Sequence, residues 1–156
     1  MNADRGREAV YAAEFAAFGG TSFDSTIEFE ELLWLRNALH TSVWWPAGEI
    51  VVERARSDAR SSTTRLCGDG QHMIRIAEPQ CTPLTLAHEA AHVLASVVSG
   101  HGPLFRRAEV DVVTALFGTD PAKWLRDSFE EMGLSLADRD WKTPTAGPLE
   151  RVIDLA

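Results

Sequence analysis

Long apolar runs are missing from this chain of 156 residues. No stretch approaches the roughly 20 consecutive apolar residues that a membrane span needs, because His, Glu or Ser interrupts each candidate. A membrane is therefore not an expected partner. The opening segment, MNADRGREAV, lacks an apolar core of the secretory type, so a cytoplasmic location is expected. Cysteine is scarce: Cys67 and Cys81 are the only two, and they form no C-x-x-C pair. That excludes a thiolate zinc knuckle and points to two free thiols. Positive charge is also in deficit. Lys and Arg number 15 against 23 Asp and Glu, a formal net charge of −8. An acidic surface repels phosphate backbones, so nucleic acid is a disfavoured partner. The short basic groups Arg54, Arg56, Arg60 and Arg65, and Arg106 with Arg107, read as solvated element surface. Repeats, low-complexity tracts and linkers are absent as well. The length suits one domain able to bury its own core.

Periodicity gives an order of elements. Residues 5–18 are Ala-rich with apolar positions at helical spacing, and Gly19-Gly20 stops them. A second helix is expected from about Ser25 to His40, with Asp24 or Ser25 as N-cap and Glu28 completing a capping box. Pro46 and Gly48 break the chain. Three short strands follow at about 49–57, 62–68 and 72–78, with Asp69-Gly70 as a hairpin dipeptide between the last two. Thr82 and Pro83 then open a helix expected to reach Val98, with Gly100 beyond its end. Two more helices are bounded by Gly102-Pro103 and Gly118, and by Asp120-Pro121 and Gly133. The reading is α+β: N-terminal helices, a small mainly antiparallel three-stranded sheet, then an active-site helix and further helices. Residues 1–137 form the domain and 138–156 a tail, the first part of it loop.

The chemistry is concentrated in His88-Glu89-Ala90-Ala91-His92, an H-E-x-x-H segment. On a helix, residues four apart stand about 40° apart around the axis, so both imidazoles face one side and can share one metal. Glu89 then sits beside the metal and can take a proton from water. Leu84, Leu86, Ala87, Ala90, Ala91, Val93, Leu94, Val97 and Val98 make this a core helix. Two His and a Glu are costly in such a place unless they are ligated or paired. Catalytic zinc takes three protein ligands plus water. His101, flanked by Gly100 and Gly102, is the favoured third ligand, because a helix ending at Gly100 lets the chain turn back. Glu109 and Asp111 are the alternatives, as carboxylates from the next helix. His72 and His40 read as a surface strand residue and a helix-end cation. Most of the five Trp read as core; Trp44-Trp45 could instead line a cleft. No oxyanion stabiliser stands out among Tyr11, Arg106 and Arg107.

The segment HEAAHVLASVVSGHGPLF resembles the H-E-x-x-H-x8-H stretch of a family of actinobacterial and phage metallohydrolases. More distantly, His101-Gly102 followed by Phe105 resembles the H-G-x-x-F element of SprT-like zincins, whose His is the third ligand. The resemblance covers roughly residues 82–106 and implies a minimal zincin-like domain holding one zinc on His88, His92 and His101. It also implies that the third strand, 72–78, lies at a sheet edge and pairs with an extended substrate. The expectation is a zinc-dependent hydrolase acting on a peptide or protein, with Glu89 as general base. Two other readings stand beside it: a non-catalytic zinc-binding interaction domain, and a DNA-associated protease of SprT type, against which the net charge argues.

Overall fold

A computed structural model describes residue 4 and residues 6–145. The order is α1 (Arg7–Phe18), α2 (Phe29–Thr41), β1 (Ile50–Arg54), β2 (Thr63–Leu66), β3 (His72–Ile76), α3 (Pro83–Ala95), α4 (Pro103–Phe117) and α5 (Thr119–Glu131), with three short 3₁₀ turns between. The α+β class is as expected. Among the described residues no helix is long and apolar enough to cross a membrane. Cys67 and Cys81 are both free thiols.

Helix α3 occupies the middle. Its Leu86, Ala87, Ala90 and Ala91 have no solvent exposure. It packs on α4 most extensively, and on α2, β2 and β3 as well. Small side chains at Ala87, Ala90 and Ala91 let these neighbours approach. Helices α1 and α4 both lie on α5. Fully buried Leu32, Leu39, Phe105, Leu116, Leu125 and Phe129 fill the interior. Each contributes roughly 1.5–3 kcal/mol relative to exposure.

Three local departures from the expected elements have physical causes. Helix α2 begins at Phe29, not Ser25, and no capping box forms. The Ile27 N–H is bonded to the Cys81 carbonyl at 2.9 Å, which holds residues 25–28 extended against the loop ahead of α3. Helix α3 is capped as expected, Thr82 Oγ1 accepting the Thr85 N–H at 3.1 Å. It ends early, however, at Ala95, because Ser96 takes φ +86°. A 3₁₀ turn over Val97–Ser99 and Gly100 at φ +59° then reverse the chain.

The third departure is the sheet. Its order is β1-β3-β2, with β1 parallel to β3 and β2 antiparallel to β3. It is mixed, where a mainly antiparallel one was expected. Burial explains the order. Ile74 and Ile76 of β3 and Ile50 and Val52 of β1 are buried, whereas β2, TTRL, is largely exposed. The apolar strands pair, and the polar one takes the rim. The expected hairpin between β2 and β3 is present, with Gly70 at φ +84° in its turn. Strand β3 is thus central, and the edge beside α3 belongs to β2. Residues 138–145 have no helix or strand but are docked: the Trp44 indole N–H donates to the Lys142 carbonyl at 2.7 Å. Trp44 is accordingly core. The end of the expected tail, 146–156, lies outside the described residues.

Candidate metal centre

His88 and His92 project from the same side of α3, and the reversal after Ala95 brings His101 back to meet them. The ligand nitrogens of the three lie within 4.8 Å of one another. His88 Nε2 and His101 Nε2 are 3.1 Å apart. Phe105, fully buried, packs against all three rings, with centroids 4.4–4.9 Å away. It stands four residues after His101, in the first turn of the helix that follows the reversal.

The outer nitrogens of two of the rings are taken. His88 Nδ1 is 2.5 Å from Glu14 Oε2, and His101 Nδ1 is 2.5 Å from Asp4 Oδ2. Asp4 Oδ1 also accepts the His101 backbone N–H at 3.1 Å. When the carboxyl is ionised it accepts the ring proton at Nδ1, and in that tautomer each Nε2 carries a lone pair. Two lone pairs 3.1 Å apart in a buried site repel unless a cation lies between them. Tetrahedral zinc with Zn–N near 2.0–2.1 Å spaces its nitrogens by roughly 3.3–3.4 Å. The donor set, its spacing and its carboxylate backing therefore suit one such ion.

Burial is the largest influence on each of the shifted groups around the rings. Burial lowers His92 to about 3, with the charges of His88 and His101 adding to the effect, so its ring is neutral. Burial lowers His101 as well, against the pull of Asp4. At Asp4, burial works upward, but the bonds to His101 outweigh it and hold the carboxyl below its usual range. Glu14 is raised to about 7 by burial.

Glu89 is buried, and its Oε1 lies 2.6 Å from the Thr64 hydroxyl on β2, which is also 3.1 Å from the Glu89 carbonyl oxygen. No other hydrogen bond holds Oε2 among the described residues. Glu89 and His88 line a cleft of about 220 Å³ that also reaches Tyr11, Phe15 and Ser62.

The two alternative carboxylates stand elsewhere. Asp111 is held by Arg139 through two bonds of 2.7 and 2.9 Å and by the Trp141 indole at 2.8 Å. Glu109 is fully buried on the other side of His88, 3.6 Å from Nδ1, where it clusters with Glu14. Burial and the neighbouring Glu14 raise its pKa well above the usual range. His40 does lie in the last turn of α2, where its Nε2 accepts the Ile50 N–H at 2.9 Å and burial lowers its pKa. His72 lies in β3, paired with Ile50.

Several residues around the histidines carry no motif. Asp4, Glu14, Thr64 and Arg106 are among them, Arg106 donating to the His101 carbonyl at 2.9 Å and to the Ser135 carbonyl at 2.9 Å. Tyr11 stacks on His88 at 5.3 Å. Glu14 had a readable signal: it falls on the apolar stripe of α1 between Val10 and Phe18, where a carboxylate needs a partner. No protein-family model matches the chain, and no curated protein or solved structure does either.

Proposed function

We propose that this chain is a zinc-dependent hydrolase that cleaves peptide bonds, with His88, His92 and His101 as the metal ligands and Glu89 as the general base. The observation that carries the reading is the convergence of three imidazoles, two of them with Nε2 atoms 3.1 Å apart and a carboxyl group behind each. A zinc ion in such a set supplies a Lewis acid that polarises a carbonyl and makes water acidic near neutral pH. Glu89 accepts a proton from the attacking water at Oε2 and passes it to the departing amine nitrogen. Thr64 occupies Oε1 and keeps the carboxylate aimed. Asp4 and Glu14 fix the tautomers of His101 and His88.

Two further features favour catalysis by an open centre. Among the described residues no fourth His, Cys, Asp or Glu joins the three histidines, as a closed structural site would require. The cleft lined by His88 and Glu89 also gives a substrate a path to the base. The exposed rim strand β2, whose Thr64 touches Glu89, offers an unpaired backbone edge on which an extended peptide could lie. The edge implied for the third strand is thus reassigned to β2.

The test is paired. Wild type purified without chelator should contain about one zinc per chain by elemental analysis. Glu89→Gln should retain that zinc and lose peptide hydrolysis by about a thousandfold or more, in the range of general-base and electrostatic contributions. Absence of zinc from the wild type after zinc addition, or full activity in Glu89→Gln, sinks the assignment.

A further inference from the structure

The cleft beside Glu89 has an uneven character. One wall is aromatic and apolar: Tyr11 and Phe15, one helical turn apart on α1, with Leu84 of α3 nearby. Phe15 is 71% exposed and Tyr11 41%, so both rings of this wall face solvent. Asp24, an exposed residue, also lines the cleft and closes the 3₁₀ turn after α1. Among the described residues its carboxylate has no side-chain hydrogen bond and no ion pair. Burial raises its pKa, as expected for a partly desolvated acid without a counter-charge. Glu14 and Glu89 are the other two carboxylates lining the cleft, and no Lys or Arg lines it. Glu14 is engaged by His88 and Glu89 by Thr64, so Asp24 is the acid left over.

From this arrangement we infer that the cleft is a specificity subsite for a cationic side chain, Arg or Lys, of the peptide substrate, gripped between the Phe15 ring and the Asp24 carboxylate. The inference rests on the peptidase reading for its substrate, since the cleft opens on the proposed base. Charge complementarity selects the occupant: the cleft is lined by three acidic side chains and by no Lys or Arg, which favours a cation over an anion. The geometry selects its shape. A long aliphatic stem ending in a cation can lie along Phe15 and Leu84 and present its charge to Asp24. The molecule already uses the same pairing next door, where the Arg7 guanidinium stands 5.7 Å from the centre of the Tyr11 ring without entering the cleft. A polar floor, including Ser62, supplies hydrogen-bond acceptors for the remaining N–H groups.

Two measurements on the full chain test this separately from the peptidase reading. In the first, zinc-loaded wild type and Asp24→Asn are given a set of quenched fluorescent peptides with Arg, Lys, Leu or Glu at each position around the scissile bond. In the second, the inactive Glu89→Gln protein, with and without Asp24→Asn, is titrated with the Arg and Leu peptides. Arg and Lys should be preferred at one position, and Asp24→Asn should reduce kcat/KM and affinity for those peptides about fivefold, leaving the Leu peptide unchanged. Phe15→Ala should reduce both, more for Arg than for Leu. Cleavage with no basic preference, or a basic preference that survives Asp24→Asn, overturns the subsite and leaves the peptidase standing. Asp24-dependent binding of the Arg peptide with no cleavage by the wild type keeps the subsite and overturns the peptidase.

Discussion

His88 and His101 face each other across 3.1 Å, yet they are held by different means. His88 sits in mid-helix on α3, is buried, and has behind it Glu14 from another helix. His101 lies after a reversal built from Ser96 at φ +86° and Gly100 at φ +59°. Its ring and its backbone N–H are both bound to Asp4, which stands ahead of α1 outside any helix. Two close approaches allow this. A Cβ on Gly6 would lie 2.7 Å from the His101 carbonyl oxygen, and one on Gly100 would lie 3.3 Å from Asp4 Oδ1. The difference teaches that one half of the centre is carried by packed secondary structure, while the other half depends on a few local bonds. The helix-held half should be insensitive to outer-shell changes and the loop-held half sensitive.

The largest effect expected is from the ligands themselves. His88→Ala and His101→Ala should each weaken zinc binding by well over the roughly 100-fold that an outer carboxylate can supply. Competition with a fluorescent chelator measures this, and circular dichroism checks that the fold persists. Zinc affinity unchanged in His101→Ala would remove it from the ligand set.

The next effect separates the two halves. Asp4→Ala should lower zinc affinity by about 10- to 100-fold, because the His101 ring and its loop lose their tether together. Asp4→Asn should recover part of that loss, since an amide oxygen still accepts the Nδ1–H. Glu14→Gln should cost less than Asp4→Ala, because α3 positions His88 without help. A larger loss in Glu14→Gln than in Asp4→Ala would break the comparison.

The smallest effect concerns the reversal. A non-glycine residue at φ +86° costs of order 1–3 kcal/mol. Glycine at position 96 relieves that strain, offset by its greater freedom in the unfolded chain. Ser96→Gly should therefore raise stability by up to about 1 kcal/mol in urea titration, with zinc affinity unchanged. A clear loss of stability would show that the Ser96 hydroxyl, which accepts the Val98 N–H, matters more than the strain.

Much of the architecture was legible in the sequence. The apolar stripes, Gly stops and Pro starts located every helix to within a few residues, and the His spacing on a core helix singled out His88, Glu89 and His92. His101 was legible because flanking glycines permit a reversal. What escaped reading was set by contacts distant along the chain. The early end of α3 turns on one Ser accepting a conformation that Gly usually takes. The late start of α2 depends on a bond from Ile27 to Cys81, and the sheet order on which strands bury their alternate apolar residues. Glu14 and Asp4 lie 74 and 97 positions from their histidines, and no spacing rule connects such pairs. Thr64 lies 25 residues before Glu89 on a strand whose rim position no local pattern reveals.

The 97-residue interval between Asp4 and His101 has a consequence for how the molecule comes into being. Synthesis runs from the N-terminus, so the two backing carboxylates emerge long before the rings they will serve. Until residue 88 has left the ribosome, α1 carries on its apolar side an acid, Glu14, without its imidazole partner, and Asp4 waits longer still, for residue 101. Closing so long a loop is slow compared with forming a helix. The proposed metal centre should therefore be among the last parts of the protein to mature, and zinc capture there would report the completed fold.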